Sequence, residues 1–94
     1  MIDKVIKVLD RDTFDINSKI KNISRIRLAN VRAPEKEQFG YEKAKKILTN
    51  KIAHKLVDII PVSINTGRII AKVFINGENV CTFMRNKGYK NKGN

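Results

Sequence analysis

Ninety-four residues make one domain, enough for a single small core and too few for two. Twenty Lys and Arg against 9 Asp and Glu leave a formal net charge of +11, spread along the whole chain, which points to a polyanionic partner. A membrane surface is excluded as that partner because no segment joins a basic face to an unbroken apolar one, and a single cysteine, Cys81, excludes an internal disulfide and a multi-cysteine metal site.

The N-terminal stretch has no apolar signal region ahead of a small-residue cleavage site, and no run approaches membrane-spanning length. The expectation is an unexported intracellular protein, cytoplasmic, with the nucleus left open. A charged solubility shell is the alternative reading of the net charge.

Residues 4–9 are rich in β-branched side chains and end at Asp10-Arg11-Asp12, which reads as a turn. From Thr13 to Asn17 the chain alternates, with Phe14 and Ile16 on one face and Thr13, Asp15 and Asn17 on the other, as in a half-exposed strand. The run 23–31 puts Ile26 and Leu28 on one face and Arg25 and Arg27 on the other, so Arg27 is expected to point away from the core. Pro34 closes this strand. The polar stretch 35–38 leads into a helix in which Tyr41, Ala44, Leu48 and Ile52 recur at helical spacing, with Lys43, Lys45 and Lys46 largely outside. Residues 56–64 form a fourth strand whose Pro61 cannot donate to a ladder and marks an edge or a bulge. Asn65-Thr66-Gly67 turns the chain into a fifth strand, 68–75, which Asn76-Gly77 ends. A short helix over 78–87 packs Val80, Phe83 and Met84, with Gly88 as its stop. One domain over 1–88 is expected, followed by a basic, polar, frayed tail over 89–94. Three strands, a helix, two strands and a second helix is the order of an oligonucleotide-binding (OB) barrel, an α+β fold built on a five-stranded β-barrel. Periodicity alone does not choose it over other small α+β folds.

Five motifs narrow the choice. Val5-Ile-Lys-Val-Leu-Asp-Arg-Asp-Thr13, Arg27-Leu-Ala-Asn-Val-Arg-Ala-Pro-Glu35, Gly40-Tyr-Glu-Lys-Ala44, Gly67-Arg68 and Ile75-Asn-Gly-Glu-Asn-Val80 follow one another over nearly the whole chain. In that order and spacing they resemble the staphylococcal nuclease (thermonuclease-like) family. The resemblance implies an OB barrel carrying a calcium-assisted site for hydrolysis of DNA or RNA phosphodiesters. It puts Arg27 and Arg68 on the family's two phosphate-binding arginines and Glu35 on the glutamate assigned as general base. Their chemistry suits those roles, since guanidinium forks grip the nonbridging oxygens of a phosphodiester and a carboxylate can take a proton from attacking water.

For the metal, the resemblance implies Asp12 as a direct carboxylate ligand, Asp10 as a supporting acid and the Ala33 backbone carbonyl as a further ligand. The second carboxylate position is Arg32 in this chain. Loss of one anionic oxygen weakens a calcium site, and a guanidinium in its place repels the ion. Arg11 stands where the family usually has glycine, and is strained if that turn requires positive φ. Arginine at the position of Arg32 also resembles the repeats of Tudor-SN proteins, in which parts of the catalytic set are lost.

The expected function is therefore a nucleic-acid-binding domain that hydrolyses phosphodiesters weakly, with a loosely held calcium ion. The alternative is a catalytically degenerate OB module binding nucleic acid or a protein partner. The preferred ligand is single-stranded DNA or RNA, with Arg25, Arg32, Lys43, Lys46, Tyr89 and Lys90 as further contacts. Tyr41 fits both a core position and a base-stacking one. His54 is expected to be exposed or capping, and Cys81 to be a small core residue.

Overall fold

The structure is a computed structural model and describes residues 1–90. The chain runs through β1 (Ile2–Val8), β2 (Thr13–Ile20), β3 (Ile23–Leu28), α1 (Tyr41–Ile52), β4 (Leu56–Asn65), β5 (Arg68–Ile75), β6 (Glu78–Asn79) and α2 (Val80–Asn86). β1 pairs antiparallel with β2 and with β4, β2 with β3, and β4 with β5. A parallel pairing of β3 with β5 joins the remaining edges, so the five long strands close into the expected OB-type barrel with two helices. Closure matters for the site, because it sets β3 directly beside β5 and brings together residues about forty positions apart in sequence.

Alternation fills the barrel. Val5, Phe14, Ile16, Ile26, Leu28, Val57, Ile59, Ile69, Ala71 and Val73 point inward and are essentially inaccessible, while their strand neighbours face out. α1 buries the face read from its spacing, Tyr41, Ala44, Leu48 and Ile52. Its exit is fastened to β1, since the His54 N–H donates to the Val5 carbonyl and the Val5 N–H to the Lys55 carbonyl, at 3.0 and 2.9 Å. His54 itself is exposed. α2 closes the other end with Val80, Cys81 and Met84 buried, and Asn79 caps it by accepting from the Thr82 N–H at 3.1 Å. Phe83 is half-buried beneath the Lys51 and Lys87 ammonium groups, 4.4 and 5.3 Å from its ring centre. Pro61 meets both of its conditions: the β4–β5 register shifts between Pro61 and Ser63, and β4 beyond Ile59 pairs with β5 alone.

The sequence reading differs from the structure in three places. β3 ends at Leu28 rather than Val31, because Asn30 takes a left-handed conformation (φ 58°) and turns the chain; Val31 is still buried, which is why the apolar pattern runs on past the strand's end. Residues 78–79 form a short sixth strand on β5, so α2 starts two residues later than expected. Tyr89 and Lys90, expected at the start of a frayed tail, are tied down. The Tyr89 N–H donates to the Met84 carbonyl, its own carbonyl accepts from the Arg32 N–H at 3.1 Å, and Lys90 bridges to Val31. The rest of the expected tail, 91–94, lies outside the described residues. Among the described residues no helix is long and apolar enough to cross a membrane.

Candidate functional site

The turn between β1 and β2 is closed by its own backbone, with the Leu9 and Asp10 N–H groups both donating to the Thr13 carbonyl at 3.0 and 3.2 Å. Arg11 does not adopt positive φ, so the strain considered for it does not arise. Its N–H donates to Asp10 Oδ1 at 2.7 Å, and its guanidinium Nη1 lies 2.8 Å from Asp10 Oδ2 and 3.7 Å from Asp12 Oδ1. Asp12 is wholly buried. Thr13 Oγ1 donates to its Oδ1 at 2.8 Å, and Arg27 Nη2 stands 3.3 Å from its Oδ2. Two atoms of this cluster, Asp12 Oδ2 and Arg11 Nε, are buried without a hydrogen bond, so the contact of Asp12 Oδ2 with Arg27 is ionic attraction without an aligned donor. Tyr41 sits under the same turn, where burial and then the Asp10 carboxylate raise its phenol above the usual value. Tyr41 is 6% exposed on the buried face of α1, which is the core reading of the two.

Arg27 comes from the outer face of β3, opposite Thr13 on β2 and beside Ile70 on β5. Residues two apart on a strand share a face, so the parallel β3–β5 register sets Arg68, two residues before Ile70, on the side of Arg27. Besides facing Asp12, Arg27 donates to the carbonyls of Leu28 and Val31 at 2.9 and 3.1 Å, clamping the turn that follows its strand. A guanidinium has five N–H donors, so this clamp leaves some for a ligand. Arg68 is half-buried at the first position of β5, just after Gly67, whose φ of 76° ends the β4–β5 turn. Among the described residues its guanidinium has no ion-pair or hydrogen-bond partner.

The loop from Val31 to Gly40 completes the site. Val31 and Ala33 are buried, anchoring a segment from which Arg32 and Glu35 project outward. A compact turn holds Glu35: its N–H donates to Gln38 Oε1 at 2.7 Å, and the Gln38 N–H returns to the Glu35 carbonyl at 2.8 Å. Gly40 then starts α1 in a left-handed conformation, φ 92°, where an added Cβ would stand 3.4 Å from Pro34 Cγ.

Arg11, Arg27, Arg32, Arg68, Glu35, Gln38, Val31 and Ala33 line one open pocket of about 400 Å³. Four guanidiniums therefore face one carboxylate. A neighbouring pocket of about 330 Å³ shares Arg32, Ala33 and Gln38 with it and continues to Gly88, Tyr89 and Lys90. Together they form a track across one surface. Of the expected metal residues, Ala33 reaches the pocket, whereas Asp12 lies buried beneath it and Asp10 is bonded to Arg11. Among the described residues no three His, Cys, Asp or Glu side chains are grouped so as to hold a metal ion. Arg25 is exposed and paired with Asp15, its Nε 3.2 Å from Oδ1, and Lys43 and Lys46 are exposed on α1; none of the three lines the pocket. Sequence reasoning missed Arg11 as a lining residue, and it missed Phe39, whose ring is fully exposed beside Gln38. A lone aromatic in the polar run 35–40 was the available signal for Phe39.

Comparison with known proteins places the chain in a family. A family described as staphylococcal nuclease homologue matches residues 25–92. Over 87 residues, 90% of the chain, it is 34% identical to an uncharacterized endonuclease of Escherichia coli and 33% identical to its counterpart in Escherichia coli O157:H7. The chain spans 56% of the length of each of these curated relatives. With the barrel, the motif order and this match in agreement, the chain is a nuclease-like domain and belongs to the staphylococcal nuclease homologue family.

Proposed function

We propose that the domain binds nucleic acid, with a preference for single strands, and hydrolyses its phosphodiesters in the arginine-lined pocket. One observation carries this reading: Arg32, Arg68 and Glu35 face the same pocket, and among the described residues none of their charged groups is spent on an ion pair within the protein. Unpaired guanidiniums around one carboxylate suit a substrate that brings its own negative charge. In the proposed reaction Arg27 and Arg68 hold the nonbridging oxygens. Glu35 takes a proton from water as the water oxygen bonds to phosphorus; the bond from phosphorus to the sugar oxygen breaks, and that oxygen leaves as a hydroxyl by taking a proton from solvent water. Of the two arginines, Arg27 is held in place before substrate arrives, by Asp12 and the Leu28 and Val31 carbonyls, which is the condition for electrostatic catalysis. The track past Arg32 to Tyr89 and Lys90 supports the single-strand preference, because it is lined by cations with an aromatic ring at its far end.

Calcium does not fit this donor set. The ion takes six to eight oxygens, whereas Asp12, the expected direct ligand, is buried with one oxygen bonded by Thr13 and the other faced by Arg27, and the supporting Asp10 is paired with Arg11. A divalent ion about 4 Å from a guanidinium is repelled by roughly 8 kcal/mol at an effective dielectric near 20, an upper bound because arginine can swing away. The proposed reaction therefore contains no step through calcium. The test is cleavage of an end-labelled single-stranded oligonucleotide by the wild type and by Glu35→Gln, with binding measured alongside. Glu35→Gln is expected to bind as before and to stop cutting; unchanged cleavage would rule out this base. Binding without cleavage in both proteins would leave a nucleic-acid-binding module.

A further inference from the structure

The turn Asp10-Arg11-Asp12 carries its own cation. Arg11 Nη1 reaches both aspartates, 2.8 Å from Asp10 and 3.7 Å from Asp12, and its backbone N–H holds Asp10 from the other side. The side chain is 19% exposed, so it is fixed rather than free in solvent, yet it lines the pocket with Arg27, Arg68 and Glu35. A positive charge held by two carboxylates at the edge of the arginine-lined pocket is the electrostatic arrangement a bound divalent ion would create. We propose that the Arg11 guanidinium stands in for that ion: it neutralises Asp10 and Asp12 from within and presents its remaining donors to the phosphate, so the pocket binds its substrate without metal. This rests on the nucleic-acid reading above, and it assigns the role to Arg11 rather than to the exposed Arg32, which has no side-chain contact with either aspartate.

Geometry supports the exchange. Glycine at this position would strip Asp10 of its ion-pair partner and leave Asp12 to Arg27 alone, so the turn would carry one uncompensated carboxylate and attract an external cation. With arginine present the turn keeps ordinary backbone angles and its charges are already matched. Lysine cannot reproduce the arrangement in full, because one ammonium point charge does not bridge two carboxylates and still offer a planar pair of donors to an anion.

The test uses two titrations on the wild type, Arg11→Gly and Arg11→Lys, each checked for folding by circular dichroism. In the first, a labelled single-stranded oligonucleotide is titrated in EDTA. Arg11→Gly is expected to bind about tenfold more weakly, with a salt slope shallower by about 0.7, and Arg11→Lys to recover part of the affinity. In the second, calcium alone is titrated calorimetrically into metal-free protein. The wild type is expected to show no saturable heat below the millimolar range, and Arg11→Gly to acquire one. Wild-type binding that requires calcium, or Arg11→Gly matching the wild type in affinity and slope, overturns the proposal. Should the wild type bind no oligonucleotide, the nucleic-acid reading fails by itself; the calcium titration then still decides whether Arg11 occupies the cation's place.

Discussion

Replacing Asp12 by asparagine separates a structural counter-ion from a metal ligand. The carboxylate is wholly buried, 3.3 Å from Arg27 and 3.7 Å from Arg11. At an effective dielectric near 20 those two attractions are roughly 5 and 4.5 kcal/mol in gross terms, most of it offset by the desolvation of the charges. What survives is seen when one partner is removed, which costs about 3–5 kcal/mol for a buried pair. The carboxamide keeps an oxygen for the Thr13 hydroxyl and both arginines retain some water, so the lower end of that range, about 3 kcal/mol, is the working figure. For a domain of this size each kcal/mol moves the melting temperature by about 4–8 °C, giving a fall of about 12–24 °C for Asp12→Asn. The assay is a thermal melt followed by circular dichroism, with EDTA and again with calcium. The deficit is expected in both buffers, and calcium is expected to stabilise neither protein. A variant melting within a degree or two of the wild type in EDTA would refute the counter-ion role. So would a wild type that gains saturable stability from calcium while Asp12→Asn gains none, since a ligand that binds only the native state must raise its melting point.

Other substitutions probe the rest of the site. Arg68→Ala removes a half-buried guanidinium that is unpaired among the described residues, so the melting point is expected to stay near wild type while oligonucleotide affinity falls by about 1.5–3 kcal/mol; equal affinity in a fluorescence titration would remove Arg68 from the binding surface. Gly40→Ala forces a Cβ into a left-handed helix start and is expected to cost about 1–2 kcal/mol by denaturant unfolding, with Gly40→Asn closer to wild type; an unaffected Gly40→Ala would mean the loop relaxes freely. Phe39→Ala touches no packing and is expected to leave the melt unchanged while weakening single-strand binding by about 1–3 kcal/mol, a difference absent with an abasic strand; if both strands bind equally to both proteins, the ring stacks on nothing.

The sequence was most legible where pattern and burial coincide. Ile26 and Leu28 against Arg25 and Arg27 gave the orientation of β3, and Tyr41, Ala44, Leu48 and Ile52 gave the buried face of α1, because a repeat of two or of 3.6 residues is written directly in side-chain chemistry. Pro61 could be read for a similar reason, since a residue without an N–H is confined to few places in a sheet. The β3–β5 closure was carried by motif order rather than by any local signal. It depends on a pairing across the helix, and neither strand encodes its partner. The ties of Tyr89 and Lys90 were hidden because they run through backbone groups that every residue possesses. The placement of the Arg11 guanidinium was hidden for a different reason. A charged residue between two aspartates looks like any polar turn, and whether its guanidinium turns back onto both carboxylates depends on backbone angles that composition does not specify.

That hidden arginine gives the pocket its character. Arg27 faces the buried Asp12 and Arg11 bridges Asp10 and Asp12, so buried negative charge positions cations at a pocket lined by four arginines and Glu35. The most direct measurement is the rate at which the wild-type protein cleaves a single-stranded oligonucleotide in EDTA and in calcium. The same rate in both is expected; cleavage that appears only with calcium would contradict a metal-free arginine site.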